Sequence, residues 1–362
     1  MKIINYHLDI MTLELLNQYV MPINRKMKKK LKVPKGPPRV LIDFATKCNL
    51  RCPMCVVWGS EEERKIDEVK GVMNLKNARK FLDEISKYSI KPLIQPNLWG
   101  EPLLIPNLSE VLDDIKSRKL PIVFNTNGLT LNEKNAKMIV KKKIESVMFS
   151  VDAVTPKTLK NVRGIDKLEK IENNVLNLVK IRGSRKLPRI GVTFTLQDAN
   201  KKEQDKFVKR WLGKVDFIRI GLVFDEKSGE FSDLNVKKIK RKPCPSLYTT
   251  LPVHNDGTVR LCCLDGFRVT NMGNVFKDGL EKVWHGKEFT KAREHHEKGE
   301  WDKVPFCKNC NGWAEYDYEE KVIDGHLVRS SPQYIYYNKI DKIKNWSKNF
   351  RGGHKIYLDE KT

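Results

Sequence analysis

Thr46-Lys47-Cys48-Asn49-Leu50-Arg51-Cys52-Pro53-Met54-Cys55 sets three cysteines at C-x3-C-x2-C spacing directly after the apolar, strand-like run 39–45. Three thiolates so spaced can wrap one set of corners of a cubane cluster and leave the fourth iron without a protein ligand. Thiolate softness suits iron–sulfur clusters and zinc alike. Rival readings of the spacing are a zinc knuckle with a distant fourth ligand, a disulfide pair, and buried structural cysteines. The position after the first strand of an α/β pattern favours the cluster.

Outward from that loop the chain alternates. Strand-like apolar runs fall at 39–45, 92–98, 121–125, 146–151, 189–196 and 216–222, with helix-period segments at 75–88, 107–118, 132–142, 155–181 and 200–213. In the first helix Leu75, Ala78, Phe81, Leu82 and Ile85 recur at helical spacing. Strands separated by helices predict an α/β fold with a parallel sheet of right-handed units. Six strands are too few for a closed eight-stranded barrel, so an open partial (β/α)6 barrel is expected, with chemistry at the ends of its strands.

The chain of 362 residues has 69 basic against 45 acidic side chains, a formal charge of +24, and its mean hydropathy is -0.52. No apolar run reaches the roughly 18–20 residues that span a bilayer, and the first twenty residues do not read as a signal peptide. A cytoplasmic location is expected. The charge favours anionic partners, yet the lysines are scattered, with clusters at 28–32, 141–143 and 237–242. A solvated basic surface accounts for them, and nucleic-acid binding is unsupported beyond the charge itself.

The remaining five of eight cysteines are Cys244, Cys262, Cys263, Cys307 and Cys310. Clustered cysteines without a secretion signal point to metal or redox chemistry. Leu251 to Leu261 reads as a hairpin turned at Asn255-Asp256-Gly257, and a helical stretch follows near 278–298. Four thiolates from three segments would staple this small module; a structural zinc is the rival. Cys262 is taken as the ligand on spacing alone, with Cys263 surplus; neighbours in an extended segment point to opposite faces, so both thiols cannot readily reach one metal. The expected organisation is a basic leader over 1–38 with a short helix, a barrel over 39–222, an auxiliary module over 240–315, and a packed extension over 316–362.

The first cysteine loop resembles the signature of the radical S-adenosylmethionine (SAM) superfamily, and the resemblance extends over 39 to about 222. It implies a 4Fe–4S cluster on Cys48, Cys52 and Cys55 whose open iron is chelated by SAM. One electron then cleaves the sulfonium to a 5′-deoxyadenosyl radical, which takes a hydrogen atom from substrate. It also implies an electron donor of the flavodoxin or ferredoxin type. Met54 stands where an aromatic residue is common and can pack on adenine. Trp99-Gly100-Glu101-Pro102 resembles the element that receives the methionine amino group, which implies roles for Gly100 and Glu101. Asn127, Ser150 and Asp152, at the ends of the third and fourth strands, are implied near the ribose and amino-acid parts. Arg163 is implied at the cofactor carboxylate.

The segment Cys262-Cys263-Leu264-Asp265, then Asn271-Met272-Gly273-Asn274-Val275 and Trp284, resembles the C-terminal modules called SPASM and twitch domains. With no cysteine after Cys310, the shorter form with one auxiliary 4Fe–4S cluster on Cys244, Cys262, Cys307 and Cys310 is implied. Cys263 is then a buried residue, an alternative ligand, or a hydrogen-atom donor as in radical epimerases. The expected reaction is oxidation or epimerisation of a sugar, cyclitol or similar small polar metabolite, with Gln95, Asn97, Thr193, Thr195 and Arg219 as candidate lining. Alternatives are a maturase of a ribosomally made peptide, against which the short leader argues, and a zinc-stabilised binding protein without enzymatic activity.

Overall fold

The computed structural model describes residues 32–55, 57–59, 70–225, 230–231, 240–266, 269–316 and 318–342. The leader helix, the lysines at 237–239 and the tail beyond 342, with Trp346, lie outside the described residues. Each of the six expected strands is present: β1 Arg39–Ile42, β2 Leu93–Gln95, β3 Val123–Thr126, β4 Ser146–Ser150, β5 Arg189–Leu196 and β6 Phe217–Leu222. β3 to β6 are parallel neighbours, with Val123 beside Ser146, Ser146 beside Arg189 and Gly191 beside Phe217. β1 and β2 form a second parallel pair, and a bridge from Ile94 to Ile122 carries the curve from β2 towards β3. The result is an open, partial barrel.

The helices between the strands follow from their apolar spacing and caps. α1 (Leu75–Ser86) begins where the Asn74 side chain accepts from the amides of Lys76 and Asn77, and it buries Ala78, Phe81, Leu82 and Ile85. α2 (Leu108–Ser117) and α3 (Glu133–Lys141) bury similar stripes. The single helix expected over 155–181 is two, α4 (Pro156–Arg163) and α5 (Leu168–Arg182), because Gly164 takes a left-handed φ of 75° and ends the first. α6 (Gln204–Trp211) completes the set. Alternation along the strands sends Phe124, Val147, Phe149, Val192, Phe194 and Ile218 outward under these helices, each at most 1% exposed. Burial of each contributes about 1.5–3 kcal/mol. The opposite, inward face is largely polar: Gln95 and Thr193 are buried there, with Ser150, Thr195 and Arg219 half-buried.

After β6 come the two-residue strands β7 (Phe224–Asp225) and β8 (Glu230–Phe231), then the short helix α7 (Ser246–Thr249). The hairpin expected at 251–261 forms as a short turn of chain, and its first arm is also drawn into a sheet. Its first arm, β9 (Thr250–Val253), pairs in parallel with β1, and it meets the second arm through an antiparallel Val253–Val259 bridge and the bonds from His254 N–H to the Thr258 carbonyl and from Arg260 N–H to the Pro252 carbonyl. β1 has an edge left open by β2, and Leu251 and Val253 supply the core face that fills it. The turn itself forms, with Gly257 at φ 83°. α8 (Val275–Asp278), α9 (Leu280–Trp284) and α10 (Lys287–Lys298) follow. The tail is a meander, β10 (Glu319–Ile323), β11 (His326–Ser330) and β12 (Tyr334–Lys339), which extends the barrel sheet through antiparallel pairing of β12 with β6. No helix among the described residues is long and apolar enough to cross a membrane.

Candidate functional site

The first cysteine group lies in the loop between β1 and α1. Cys55 N–H donates to the Cys52 carbonyl at 2.8 Å and Gly59 N–H to the Cys55 carbonyl at 2.6 Å, so the chain curls around its own thiols. Burial pushes all three thiols above their ordinary pKa, Cys55 to about 11, and the neighbouring thiols add to the rise at Cys48 and Cys55. Donors nonetheless point at the sulfurs: Leu50 N–H at Cys48 Sγ (3.5 Å) and Arg163 Nη1 at Cys52 Sγ (3.7 Å). A set of neighbouring sulfurs facing N–H donors fits thiolates bound to iron.

Two glycines permit this loop. A Cβ on Gly59 would stand 2.4 Å from the Cys55 carbonyl oxygen, and one on Gly100 would stand 2.0 Å from that of Ala45. Glu101 N–H donates to the Lys47 carbonyl at 2.7 Å, tying the segment after β2 to the cysteine loop. Trp58 closes the loop with its indole N–H on the Trp99 carbonyl (2.9 Å) and the Arg51 guanidinium 4.8 Å above its ring. Beneath lies Asp43, fully buried, accepting from the Thr46 hydroxyl and the Leu98 amide; Asn255 Nδ2 donates in turn to Thr46 Oγ1 at 2.9 Å. Gly59, Trp58 and Asp43 were not singled out from the sequence. Only the glycine beside a tryptophan, four residues beyond Cys55, hinted at a tight return.

The other expected residues gather at the same end of the barrel, several already engaged. Glu101 is buried, and its carboxylate accepts from Thr126 Oγ1 (2.6 Å), Asn127 N (2.8 Å) and Leu103 N (3.1 Å). Burial raises its pKa against those three donors. Asn127 Nδ2 donates to Asn49 Oδ1 at 2.8 Å, inside the cysteine loop. Asp152, at a positive φ of 62°, takes the Arg163 guanidinium, with Nε at 2.7 Å from Oδ2. Ser150 ends β4 beside Thr193. Met54 Sδ faces Gln197 Nε2 at 3.0 Å.

The second group converges from three segments. Cys307 is coupled electrostatically to Cys244 and Cys310, Cys262 to Cys263 and Cys244, and Cys310 to Cys263. The expected divergence of Cys262 and Cys263 is corrected: the chain turns there rather than extending, and the two thiols hydrogen-bond each other. Cys263 therefore stands among the other four, not apart from them. Beside them lies Arg241, hidden in the sequence within a basic run, and His296 of α10, whose Nδ1 accepts from Cys244 N–H at 3.2 Å.

A family model of the radical SAM superfamily matches residues 42–206, and one of the iron–sulfur cluster-binding domain SPASM matches 244–311. Together they take in more than half of the chain. The chain is 25% identical over 248 residues to the tungsten-containing aldehyde ferredoxin oxidoreductase cofactor-modifying protein of Pyrococcus furiosus, covering 63% of this chain and 66% of that protein, just under two thirds of its length. It is 22% identical over 289 residues to the S-adenosyl-L-methionine-dependent 2-deoxy-scyllo-inosamine dehydrogenase of Niallia circulans, covering 76% of this chain and 96% of that protein. The crystal structure of Streptococcus suis SuiB bound to the precursor peptide SuiA superposes with a TM-score of 0.57 at 16% identity, covering 79% of this chain and 73% of that one. This last likeness is one of fold. The two domains carry with them a 4Fe–4S cluster, SAM binding and auxiliary cluster binding, and they set aside the non-enzymatic zinc protein. The chain belongs to the radical SAM superfamily and is a radical SAM enzyme with a C-terminal SPASM domain.

Proposed function

We propose that this enzyme oxidises a carbinol carbon of a sugar, cyclitol or comparable small polar metabolite. The observation that carries the reading is the polar inward face of the barrel at the end where the cysteine loop sits. Gln95, Thr193, Thr195 and Arg219 lie on that face, with Asn97 in the loop just past β2 rather than on the strand, and such a wall suits a hydroxyl-rich substrate rather than an apolar one. The likeness to a cyclitol dehydrogenase over nearly that protein's whole length supports the same class.

In this reading Cys48, Cys52 and Cys55 hold the catalytic cluster, and Cys244, Cys307 and Cys310 with Cys262 or Cys263 hold one auxiliary cluster. When bound, the catalytic cluster supplies the electron that cleaves SAM and so yields the radical that takes the substrate hydrogen. The chain's own residues do the rest. Gly100 and Glu101 hold the segment after β2 against the cysteine loop, Asn127 reaches into that loop, and the Asp152–Arg163 pair braces it from the other side. Met54 flanks the loop as a packing surface for adenine, and Ser150 offers a hydroxyl at the strand end. The substrate carbon would lose one hydrogen atom to the 5′-deoxyadenosyl radical, giving 5′-deoxyadenosine, and would become a ketone on losing one proton and one electron more; a cluster held by the second cysteine group would supply the acceptor for that electron. A flavodoxin- or ferredoxin-type protein supplies the first electron.

Anaerobic enzyme with SAM, a reductant and a panel of cyclitols and sugars should give 5′-deoxyadenosine and a ketone in equal amounts. An epimerised product carrying one solvent deuterium, lost in Cys263→Ser, would replace oxidation by epimerisation with Cys263 as the catalytic hydrogen donor. Turnover of none of the panel alongside modification of a peptide would sink the small-metabolite reading.

A further inference from the structure

Arg241 stands three residues before Cys244 and is half-buried beside the second cysteine group. Its guanidinium is clamped by backbone: Nη2 donates to the Cys307 carbonyl at 2.6 Å and Nη1 to the Lys308 carbonyl at 3.2 Å. The Trp301 ring supports it from one side, 4.7 Å from the guanidinium carbon. Trp301 is itself held edge-on by His296, with ring centroids 5.1 Å apart. So fixed, the cation interacts electrostatically with Cys310, Cys307 and Cys244. Its Nε–H is buried and has no hydrogen-bond partner. A buried donor without a partner is costly, and this one belongs to a guanidinium held on the carbonyls of Cys307 and Lys308.

Three other described groups lie near these thiols. Asp265 is buried and accepts from Val269 N, Thr270 N and Thr270 Oγ1; Glu230 is felt at Cys310. His296 is buried, with Nδ1 accepting from Cys244 N–H. Among the described residues, Arg241 is the cation felt at Cys307 and Cys310 and, with them, at Cys244.

We propose that Arg241 is a positioning residue for the auxiliary cluster: a fixed positive charge with a spare Nε–H that raises the cluster's reduction potential, so that the cluster accepts the substrate's second electron. This rests on the reading that these cysteines hold a cluster. A cubane with four thiolates is anionic and gains one further negative charge on reduction, so a nearby cation stabilises the reduced form more than the oxidised one. Hydrogen bonds to cluster sulfurs act in the same direction.

The test is a reductive titration followed by electron paramagnetic resonance, in full-length protein carrying Cys48→Ala, Cys52→Ala and Cys55→Ala so that only the auxiliary cluster remains. Iron content is measured on each sample. Arg241→Gln is expected to move the midpoint to more negative potential, with Arg241→Lys between it and wild-type Arg241. In enzyme with all eight cysteines, Arg241→Gln should make 5′-deoxyadenosine but form less ketone per cleavage. A midpoint unchanged in iron-replete Arg241→Gln, or equal shifts in Gln and Lys, overturns the proposal. Should Arg241→Gln load too little iron to titrate, Arg241→Lys against wild type decides: a negative shift supports the proposal and no shift overturns it. Absence of iron from the triple alanine protein with Arg241 intact would instead overturn the cluster assignment beneath it.

Discussion

Arg163 is bonded to Asp152 through Nε and Oδ2 at 2.7 Å, in the interior of the barrel end, with Asp152 wholly buried and Arg163 one-tenth exposed. Thr195 N–H holds the other carboxylate oxygen at 2.6 Å, and Arg163 Nη1 continues to Cys52 Sγ. Loss of the guanidinium strands a buried carboxylate, which costs about 3–5 kcal/mol. Arg163→Met should therefore lower the urea midpoint of the apoprotein strongly. Adding Asp152→Asn should recover part of the loss, and a strictly additive double variant would show that the two side chains are not coupled.

Iron analysis separates the two cysteine groups. Anaerobic protein should hold about eight irons as two cubanes. Changing Cys48, Cys52 and Cys55 to Ala should remove about half and abolish SAM cleavage, while Cys307→Ala with Cys310→Ala should remove the other half and spare 5′-deoxyadenosine formation. Full iron in the first variant would refute the assignment of the catalytic cluster.

Because the Cys262 and Cys263 thiols meet each other rather than diverging, each can replace the other. Cys262→Ser and Cys263→Ser should singly retain most auxiliary iron, and the double variant should lose it. Complete loss in one single variant and none in the other would identify a unique ligand and exclude the exchange.

Gly100→Ala should shift the segment after β2 away from the cysteine loop, since its Cβ would meet the Ala45 carbonyl oxygen at 2.0 Å. Overpacking of this kind costs about 1–3 kcal/mol. Isothermal titration of the cluster-loaded protein should show weaker SAM binding; unchanged affinity would mean that the loop tolerates the methyl group.

Asp43 predicts a pH dependence. Burial raises its pKa above the ordinary 3.8, against the Thr46 hydroxyl and the amides of Leu98, Gly100 and Trp99. Just above pH 3.8 the unfolded chain has released this proton while the folded chain keeps it. Its contribution to stability is therefore present below that pH and is lost as pH rises through the folded pKa. Asp43→Asn should remove this component from the pH profile of apoprotein unfolding, and an identical profile would show that Asp43 does not titrate differently in the two states.

Much of this was legible in local patterns. The C-x3-C-x2-C spacing fixes three thiols in one loop whatever the rest of the chain does, and the alternation of strand and helix periods determines a parallel α/β barrel through contacts between near neighbours. Gly164 and Asn74 mark helix boundaries by backbone geometry and capping, which act over a few residues. Contacts between distant segments were decided by the tertiary structure alone. β9 joins β1 and β12 joins β6 because those edges are left open, and the tyrosine alternation of 334–337 does not say which edge it will meet. The turn at Cys263 is closed by Asp265 N–H on the Cys262 carbonyl at 3.2 Å, while the Asp265 carboxylate accepts from the amides of Val269 and Thr270, and the two thiols do not face as expected. Glu101 and Arg163 find their partners across loops brought together only when the barrel assembles, and Arg241 finds Cys307 and Trp301 only when the C-terminal module folds. A spacing rule carries no information about such pairs, since their energy comes from burial and charge shared between segments far apart in the chain.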